Sequence, residues 1–271
     1  MNKRHPQRIA MGVEYDGTGF QGWQRQSHGR AIQNAFEAAL STVADAPLEV
    51  VCAGRTDSGV HATGQVIHFE PPVERPLRSW LLGTNSNLPR DVSVNWARQV
   101  AGDFHARYSA VSRSYRYSIL NRPVRSALHR HRACWVHRPL DEARMQSAAA
   151  KLVGEHDFSA FRAAGCQSRS PIRNVTFLSV TRRGEWIAID IRANAFLQHM
   201  VRNIAGLLIT IGNGEREPDW AAQILEGRDR TRSAFAAPAA GLTLIAVDYP
   251  AHFGLPDGRD YARLPADLPD V

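Results

Sequence analysis

An α+β fold whose element order starts to repeat is what this sequence predicts, and three observations predict it. Apolar residues alternate with others where strands are expected, and recur at helical spacing where helices are expected. Up to Val100 the elements run β-α-β-β-α-β. After a pause at Ala101-Gly102-Asp103 a strand begins again. The 271 residues suffice for one large domain or two of ordinary size, and 44% hydrophobic content is enough for a sizeable core.

In the first half, Ile9, Met11, Val13 and Tyr15 alternate as in a half-buried strand. Asp16-Gly17-Thr18-Gly19 breaks it. The loop that follows, Phe20-Gln21-Gly22-Trp23-Gln24-Arg25-Gln26, mixes aromatics, amides and a cation. Such a loop either stacks on bases and bonds to them or is an ordinary loop anchored by its aromatics, and composition does not separate the two. Ile32, Ala35, Phe36, Ala39, Leu40 and Val43 mark one face of an amphipathic helix over 31–44. Strands are expected from Leu48 to Ala53 and from Gly64 to Phe69. Leu77, Trp80 and Leu81 belong to a second helix, stopped near Asn85-Ser86-Asn87-Leu88-Pro89, and Val92, Val94 and Trp96 form a fourth strand. This order is the split βαβ, ferredoxin-like arrangement.

In the second half, Tyr115, Tyr117 and Ile119 share one face of a strand, with Arg113 on that face. Residues 121–138 are polar, with Arg122, Arg125, Arg130, Arg132 and Arg138 among histidines, and a short strand from Ala133 to Val136. Charge runs are usually solvated surface; the sign here also suits a phosphate-binding rim. Met145, Ala148, Ala149 and Leu152 place a helix from Asp141 to Val153, with Gly154 as its C-cap. A loop from His156 to Pro171 carries Arg162 and Arg169, and a hairpin turns at Arg183-Gly184-Glu185. Phe196, Met200, Ile204, Leu207, Leu208 and Ile211 form the apolar arc of a helix from Phe196 to Ile211. Arg202 lies outside that arc, where the pattern alone makes it an exposed cation. A short helix from Trp220, a strand from Leu242 to Val247 and a loose proline- and aspartate-rich tail complete the chain.

A net charge of +7 points toward a polyanionic partner, although the 26 acidic residues keep charge from being specific evidence. Nearly all the cations are arginine, whose planar fork suits phosphates and stacking. Three scattered cysteines argue against a disulfide framework and for a reducing compartment. No signal peptide is expected from the polar N-terminus, and no apolar run is long enough for a membrane helix, so a cytoplasmic protein is expected. No cysteine pair has zinc-ligand spacing, and a site in the arginine-rich loop would repel a cation, so no metal is expected. The glycines near Gly17 match neither a dinucleotide fingerprint nor a P-loop, and no serine-hydrolase elbow or zinc-protease helix is present.

What remains is the turn Cys52-Ala53-Gly54-Arg55-Thr56-Asp57-Ser58-Gly59-Val60-His61-Ala62. Its glycines allow close approach of backbone to a ligand, and a carboxylate beside a guanidinium is favoured in its charged form. Asp57 is then either a hydrogen-bonded turn residue or a nucleophile or base that needs no cofactor. Residue types alone leave both readings open.

The chain resembles the tRNA pseudouridine synthase A family. The resemblance rests on Gly12-Val13-Glu14-Tyr15-Asp16-Gly17, Gly22-Trp23-Gln24-Arg25-Gln26 and the Ala53 to Ala62 turn, then on Asp103-Phe104-His105-Ala106-Arg107, Arg113-Ser114-Tyr115-Arg116-Tyr117 and Phe158-Ser159-Ala160-Phe161-Arg162. Cys166-Gln167-Ser168-Arg169, the run from Ala193 to Asn203 and Gly241-Leu242-Thr243-Leu244-Ile245-Ala246-Val247 continue the series in family order. Ser58 stands where alanine is common and Thr243 where an aromatic occurs; neither removes a chemical role. The resemblance implies a pseudouridine-synthase fold: two ferredoxin-like halves, 1–108 and 109–271 with a loose tail from about residue 252, with adjoining antiparallel sheets and an RNA-binding cleft that holds Asp57. It implies a cofactor-free isomerase acting on uridines 38, 39 and 40 of the tRNA anticodon stem-loop, and a homodimer. Asp57 matches the family's nucleophile, Tyr115 the tyrosine that stacks on the target base and Arg202 the buried partner of the aspartate. Arg55 matches an arginine that helps displace the base. Thr56, His61, Gln24, Arg25, Arg113, Arg162, Arg169 and Leu242 are the further residues expected to bind substrate. Two other classes remain to be weighed: a catalytically silent tRNA-binding protein of the same fold, and a glycoside hydrolase, which the absence of an evident second acid disfavours.

Overall fold

The computed structural model describes residues 8–257 and Arg259. The N-terminal residues read for a signal peptide, and most of the C-terminal tail, lie outside them. The described residues form an α+β protein whose strand pairings are mostly antiparallel. They divide into two compact units. One contains the residues up to Val111 and those from Leu244, and the other is Ser112–Thr243. None of the described helices is long and apolar enough to cross a membrane.

The first unit contains strand β1 (Arg8–Tyr15), helix α1 (Ile32–Ala44), strands β2 (Val51–Cys52) and β3 (His61–Phe69), helix α2 (Leu77–Asn87) and strand β4 (Val92–Val100). β1 pairs antiparallel with β3 on one side and β4 on the other, and β2 pairs antiparallel with β3. Both helices bury apolar side chains: Ile32, Phe36 and Leu40 of α1 and Trp80 of α2 are fully buried. Trp80 lies 5.2 Å from Phe69, and Trp23 bridges Phe36 and Tyr15 at 6.0 Å each.

The expected second strand shrinks to two residues for a local reason. The backbone N–H groups of Leu48 and Val50 donate to Ser41 Oγ and Glu37 Oε1 of α1, at 2.9 and 3.3 Å. Those amides are satisfied by the helix instead of a strand partner. β3, in contrast, starts three residues earlier than its alternation suggested.

The second unit contains strands β5 (Ser112–Asn121) and β6 (Cys134–Val136), helix α3 (Glu142–Ala150), strands β7 (Gly154–Asp157), β8 (Ile172–Arg183) and β9 (Trp186–Ala193), and helices α4 (Met200–Gly212) and α5 (Trp220–Gly227). The strands pair in the order β5-β9-β8-β7, with β6 parallel to β5. Strand β10 (Leu242–Asp248) follows, and in the first unit it adjoins β3.

Two boundaries differ from expectation. Gly154 does not cap α3, which ends at Ala150; it opens β7 at φ 114°. α4 begins at Met200 instead of Phe196, because His199 takes a left-handed conformation at φ 63°. The spacing of Phe196 and Met200 mimics a helical turn that the backbone does not make. Every α4 residue except Arg202 is buried, so the helix has no solvated face.

Candidate active site

The Asp57 turn leaves β2 and re-enters the sheet at β3, and it is fastened along its length to the loop after β1. The N–H of Trp23 donates to Thr56 O at 2.9 Å, and Ser58 Oγ donates to Phe20 O at 3.1 Å. The hydroxyls of Thr56 and Tyr15 are 2.8 Å apart in the interior. Val60 N–H closes the turn onto Asp57 O at 3.1 Å. At its start, the Gln65 amide donates to Gly54 O at 2.6 Å and accepts from Gly54 N–H at 3.3 Å.

Gly22, at φ 90°, makes this approach possible. A Cβ there would stand 2.7 Å from Thr56 O. The turn therefore presents Asp57 half-buried and Arg55 exposed, with Thr56 buried beneath them. Burial pushes the Cys52 thiol, just before the turn, up to about 12 even though Arg55 opposes that shift.

His61 is 3% exposed and serves the same framework. Its Nδ1 accepts the Gly17 N–H at 3.1 Å, and Asp16 Oδ1 lies 3.2 Å from the same nitrogen. Among the remaining first-unit candidates, Gln24 is exposed, and Arg25 is exposed with its guanidinium on Glu37 at 2.7 Å. That hydrogen bond raises Arg25 above its ordinary value.

In the second unit Tyr115 lies on β5 opposite Ile191 of β9. Its ring is half-buried and meets Phe196 edge-on, with centroids 5.1 Å apart and planes at 84°. Arg113, two residues before it, is buried and donates from Nη1 to Asn194 O at 2.9 Å. Directly after Tyr115 and on the opposite face, Arg116 is 1% exposed and forms a bidentate pair with Asp190, at 2.7 and 2.8 Å.

Arg202 is half-buried, in place of the exposed cation that its helical position suggested. It is held by the segment that leads to β10. Its Nε donates to Ala237 O at 2.8 Å, and its own carbonyl accepts the Ala237 N–H at 3.0 Å. Tyr117 anchors the same segment by donating to Pro238 O at 2.8 Å. Phe235 O lies so near α4 that a Cβ on Gly206 would be 1.9 Å from it.

Of the other second-unit candidates, Arg162 donates to Cys166 O at 2.6 Å, Arg169 is exposed and Leu242 is buried. The Cys166 thiol is raised by burial, but N–H groups of Ser168 and Gln198 and the Arg162 charge outweigh this and leave it below its ordinary value. Among the described residues no group of three His, Cys, Asp or Glu is arranged to hold a metal.

Thus the first unit gathers Arg55, Thr56, Asp57 and His61 on one fastened turn. The second presents Tyr115 and Arg202 from a strand and a helix. Sequence reasoning missed Tyr15 and Gln65 as supports of the turn, Phe196 as the backing of Tyr115, and the Arg116–Asp190 pair. Only the last left a sequence signal: an acid among the isoleucines of β9.

A profile of the family described as tRNA pseudouridine synthase matches residues 11–109 and 148–250. A protein of Methylococcus capsulatus called tRNA pseudouridine synthase A is 56% identical over 260 residues, 96% of each chain. Proteins of the same name from Vibrio cholerae and Pseudomonas aeruginosa are 54% and 52% identical, covering 92% and 97% of this chain and 95% and 93% of theirs. With the profile matching most of the chain and such relatives spanning nearly all of it, the chain belongs to the tRNA pseudouridine synthase family, isomerases that convert uridine in tRNA to pseudouridine.

Proposed function

We propose that this protein isomerises uridines 38, 39 and 40 of the tRNA anticodon stem-loop, with Asp57 as the nucleophile and no cofactor. The observation that carries the proposal is the Asp57 turn: a half-buried carboxylate on a loop fastened by backbone and side-chain hydrogen bonds, with an exposed arginine two residues before it. Fixed groups act on a reacting atom without reorganising at the moment of reaction.

The reaction breaks the bond from ribose C1′ to uracil N1, turns the base and forms a bond from C1′ to C5; the C5 proton leaves to solvent and N1 takes up a proton. A paired uridine must first be flipped out, at about a few kcal/mol. Arg55 assists that displacement, and Tyr115 offsets it by stacking; the edge-on Phe196 that backs its half-open ring supports this role. Arg202 is the cationic partner of Asp57. Its support is the family motif, together with the two hydrogen bonds that hold it on Ala237.

Gln24, Arg25, Thr56, His61, Arg113, Arg162, Arg169 and Leu242 complete the tRNA contacts, Thr56 and His61 from beneath the turn. Each half is of ferredoxin-like type, for which the first unit's pairing of β4, β1, β3 and β2 is the support. The enzyme works as a cytoplasmic homodimer.

The test is tritium release from C5-labelled uridine in unmodified tRNA. The wild-type protein is expected to release it, and Asp57→Ala to lose at least about 10³-fold, the scale on which removing a catalytic group acts. Normal release by Asp57→Ala would sink the assignment.

A further inference from the structure

Tyr108 is the most exposed aromatic ring among the described residues, at 77%. Single exposed aromatics are ordinary, but this one is backed by a pile of rings. Tyr108 stacks on His105 with centroids 4.3 Å apart and planes at 30°, and His105 lies 4.8 Å from buried His68.

The turn beneath is locked. His105 N–H donates to Ser109 Oγ at 2.9 Å, and Ser109 N–H returns to His105 O at 2.8 Å. His105 Nδ1 accepts the N–H groups of Arg107 and Tyr108, each at 3.2 Å. His68 Nδ1 accepts that of Ala106 at 3.1 Å, and Tyr249 donates to Ala106 O at 2.6 Å. The Arg107 guanidinium lies 5.7 Å from the Tyr108 ring centroid.

From these contacts we propose that Tyr108 and Arg107 form a second nucleotide-binding subsite, in which an RNA base stacks on the tyrosine and a phosphate meets the arginine. The proposal deepens the tRNA-modifying reading and rests on it. An aromatic face beside a guanidinium is the chemistry that recognises single-stranded nucleotides without regard to sequence. Because the ring is already held in place, little side-chain entropy is lost when a base lands on it.

The subsite is connected to the Asp57 turn through β2. His68 is the register partner of Val51 on β2, and Asp57 follows Val51 by six residues, at most about 22 Å of chain. The charges of Arg55 and Arg107 both act on the Cys52 thiol of β2.

The experiment measures binding of a fluorescently labelled anticodon stem-loop to wild-type, Tyr108→Phe and Tyr108→Ala proteins, alongside tritium release. Stacking worth about 1–3 kcal/mol per base corresponds to roughly 5- to 150-fold in affinity. Tyr108→Ala is expected to weaken binding and raise KM by about tenfold or more within that range, while Tyr108→Phe stays near wild type. A merely structural role would lower the thermal midpoint of Tyr108→Ala; the midpoint is expected to be unchanged. Wild-type affinity in Tyr108→Ala overturns the subsite. A photoreactive phenylalanine analogue at 108 is expected to crosslink to the stem-loop, and crosslinking only to protein overturns the proposal equally. If the wild-type protein releases tritium while Tyr108→Ala binds normally, the subsite fails alone. If affinity depends on Tyr108 but wild type releases no tritium, the enzymatic reading fails and the subsite stands.

Discussion

The turn that carries Asp57 and the helix that carries Arg202 are both immobilised, by different means. The turn has no regular structure of its own, so its carboxylate depends on hydrogen bonds from Trp23, Tyr15, Ser58 and Gln65. α4 is regular and buried except at Arg202, whose carbonyl and side chain are both tied to Ala237. Each arrangement still relies on one glycine to let another stretch of backbone come close: Gly22 against Thr56 and Gly206 against Phe235. A loop without regular structure is positioned by hydrogen bonds along its length, whereas a buried helix is positioned by its packing and a local attachment.

Paired substitutions break this comparison most severely. Gly22→Ala adds a methyl group against Thr56 O at a position with φ 90°, and Gly206→Ala adds one against Phe235 O. A misplacement of about 1 Å can lower a rate on the order of 10²-fold, and each variant is expected to lose turnover on that scale in the tritium assay. Gly22→Ala should also lower the urea midpoint, because the strain falls on the whole turn. Gly206→Ala with wild-type turnover would show that the Phe235–Pro238 segment does not position Arg202.

An effect of intermediate size should come from His68, which supports the first unit without belonging to the Asp57 turn. Burial lowers it to about 4, with Arg8 adding to the shift. Unfolded, it titrates near its ordinary 6.5. The unfolded state therefore binds more protons between those values, so stability is full above about 6.5 and is lost as pH falls toward 4. The loss should be roughly 2–3 kcal/mol, and urea denaturation at pH 7 and pH 4.5 should show it. His68→Gln keeps an acceptor for Ala106 N–H and is expected to flatten the slope; an unchanged slope would assign the acid sensitivity to other groups.

The smallest effect sharpens the comparison. Tyr15→Phe removes the hydroxyl that bonds Thr56 at 2.8 Å and accepts from Gln65 Nε2 at 3.4 Å, and leaves the Trp23 and Ser58 attachments in place. A hydrogen bond is worth about 1 kcal/mol, and thermal unfolding should report a loss of about 1–2 kcal/mol with turnover within about fivefold of wild type. A drop as large as that of Gly22→Ala would show that the turn hangs on this one hydroxyl.

Much of the fold was legible in the sequence, because periodicity is local. α1 and the β8–β9 hairpin fall within a few residues of where their apolar spacing places them. Legibility failed where a side chain or a single dihedral angle intervened. Ser41 and Glu37 take the amides that would have lengthened β2, and the left-handed His199 cuts off the start of the apparent α4. At the site, Asp57, Tyr115 and Arg202 could be picked out through the family motifs, since a motif is contiguous. Their supports could not. Tyr15 reaches Thr56 across 41 residues and Arg116 reaches Asp190 across 74, separations that only strand register brings together.

Gly206 also bears on how this enzyme can be engineered. Exchanging glycine for alanine inside a helix is a standard route to stabilisation, worth up to about 1 kcal/mol. A survey guided by helix propensity would choose Gly206, deep in a 13-residue helix, among its first changes. The absent methyl group is where Phe235 O comes to rest, so the thermostable variant and the competent one part ways at a single carbon atom.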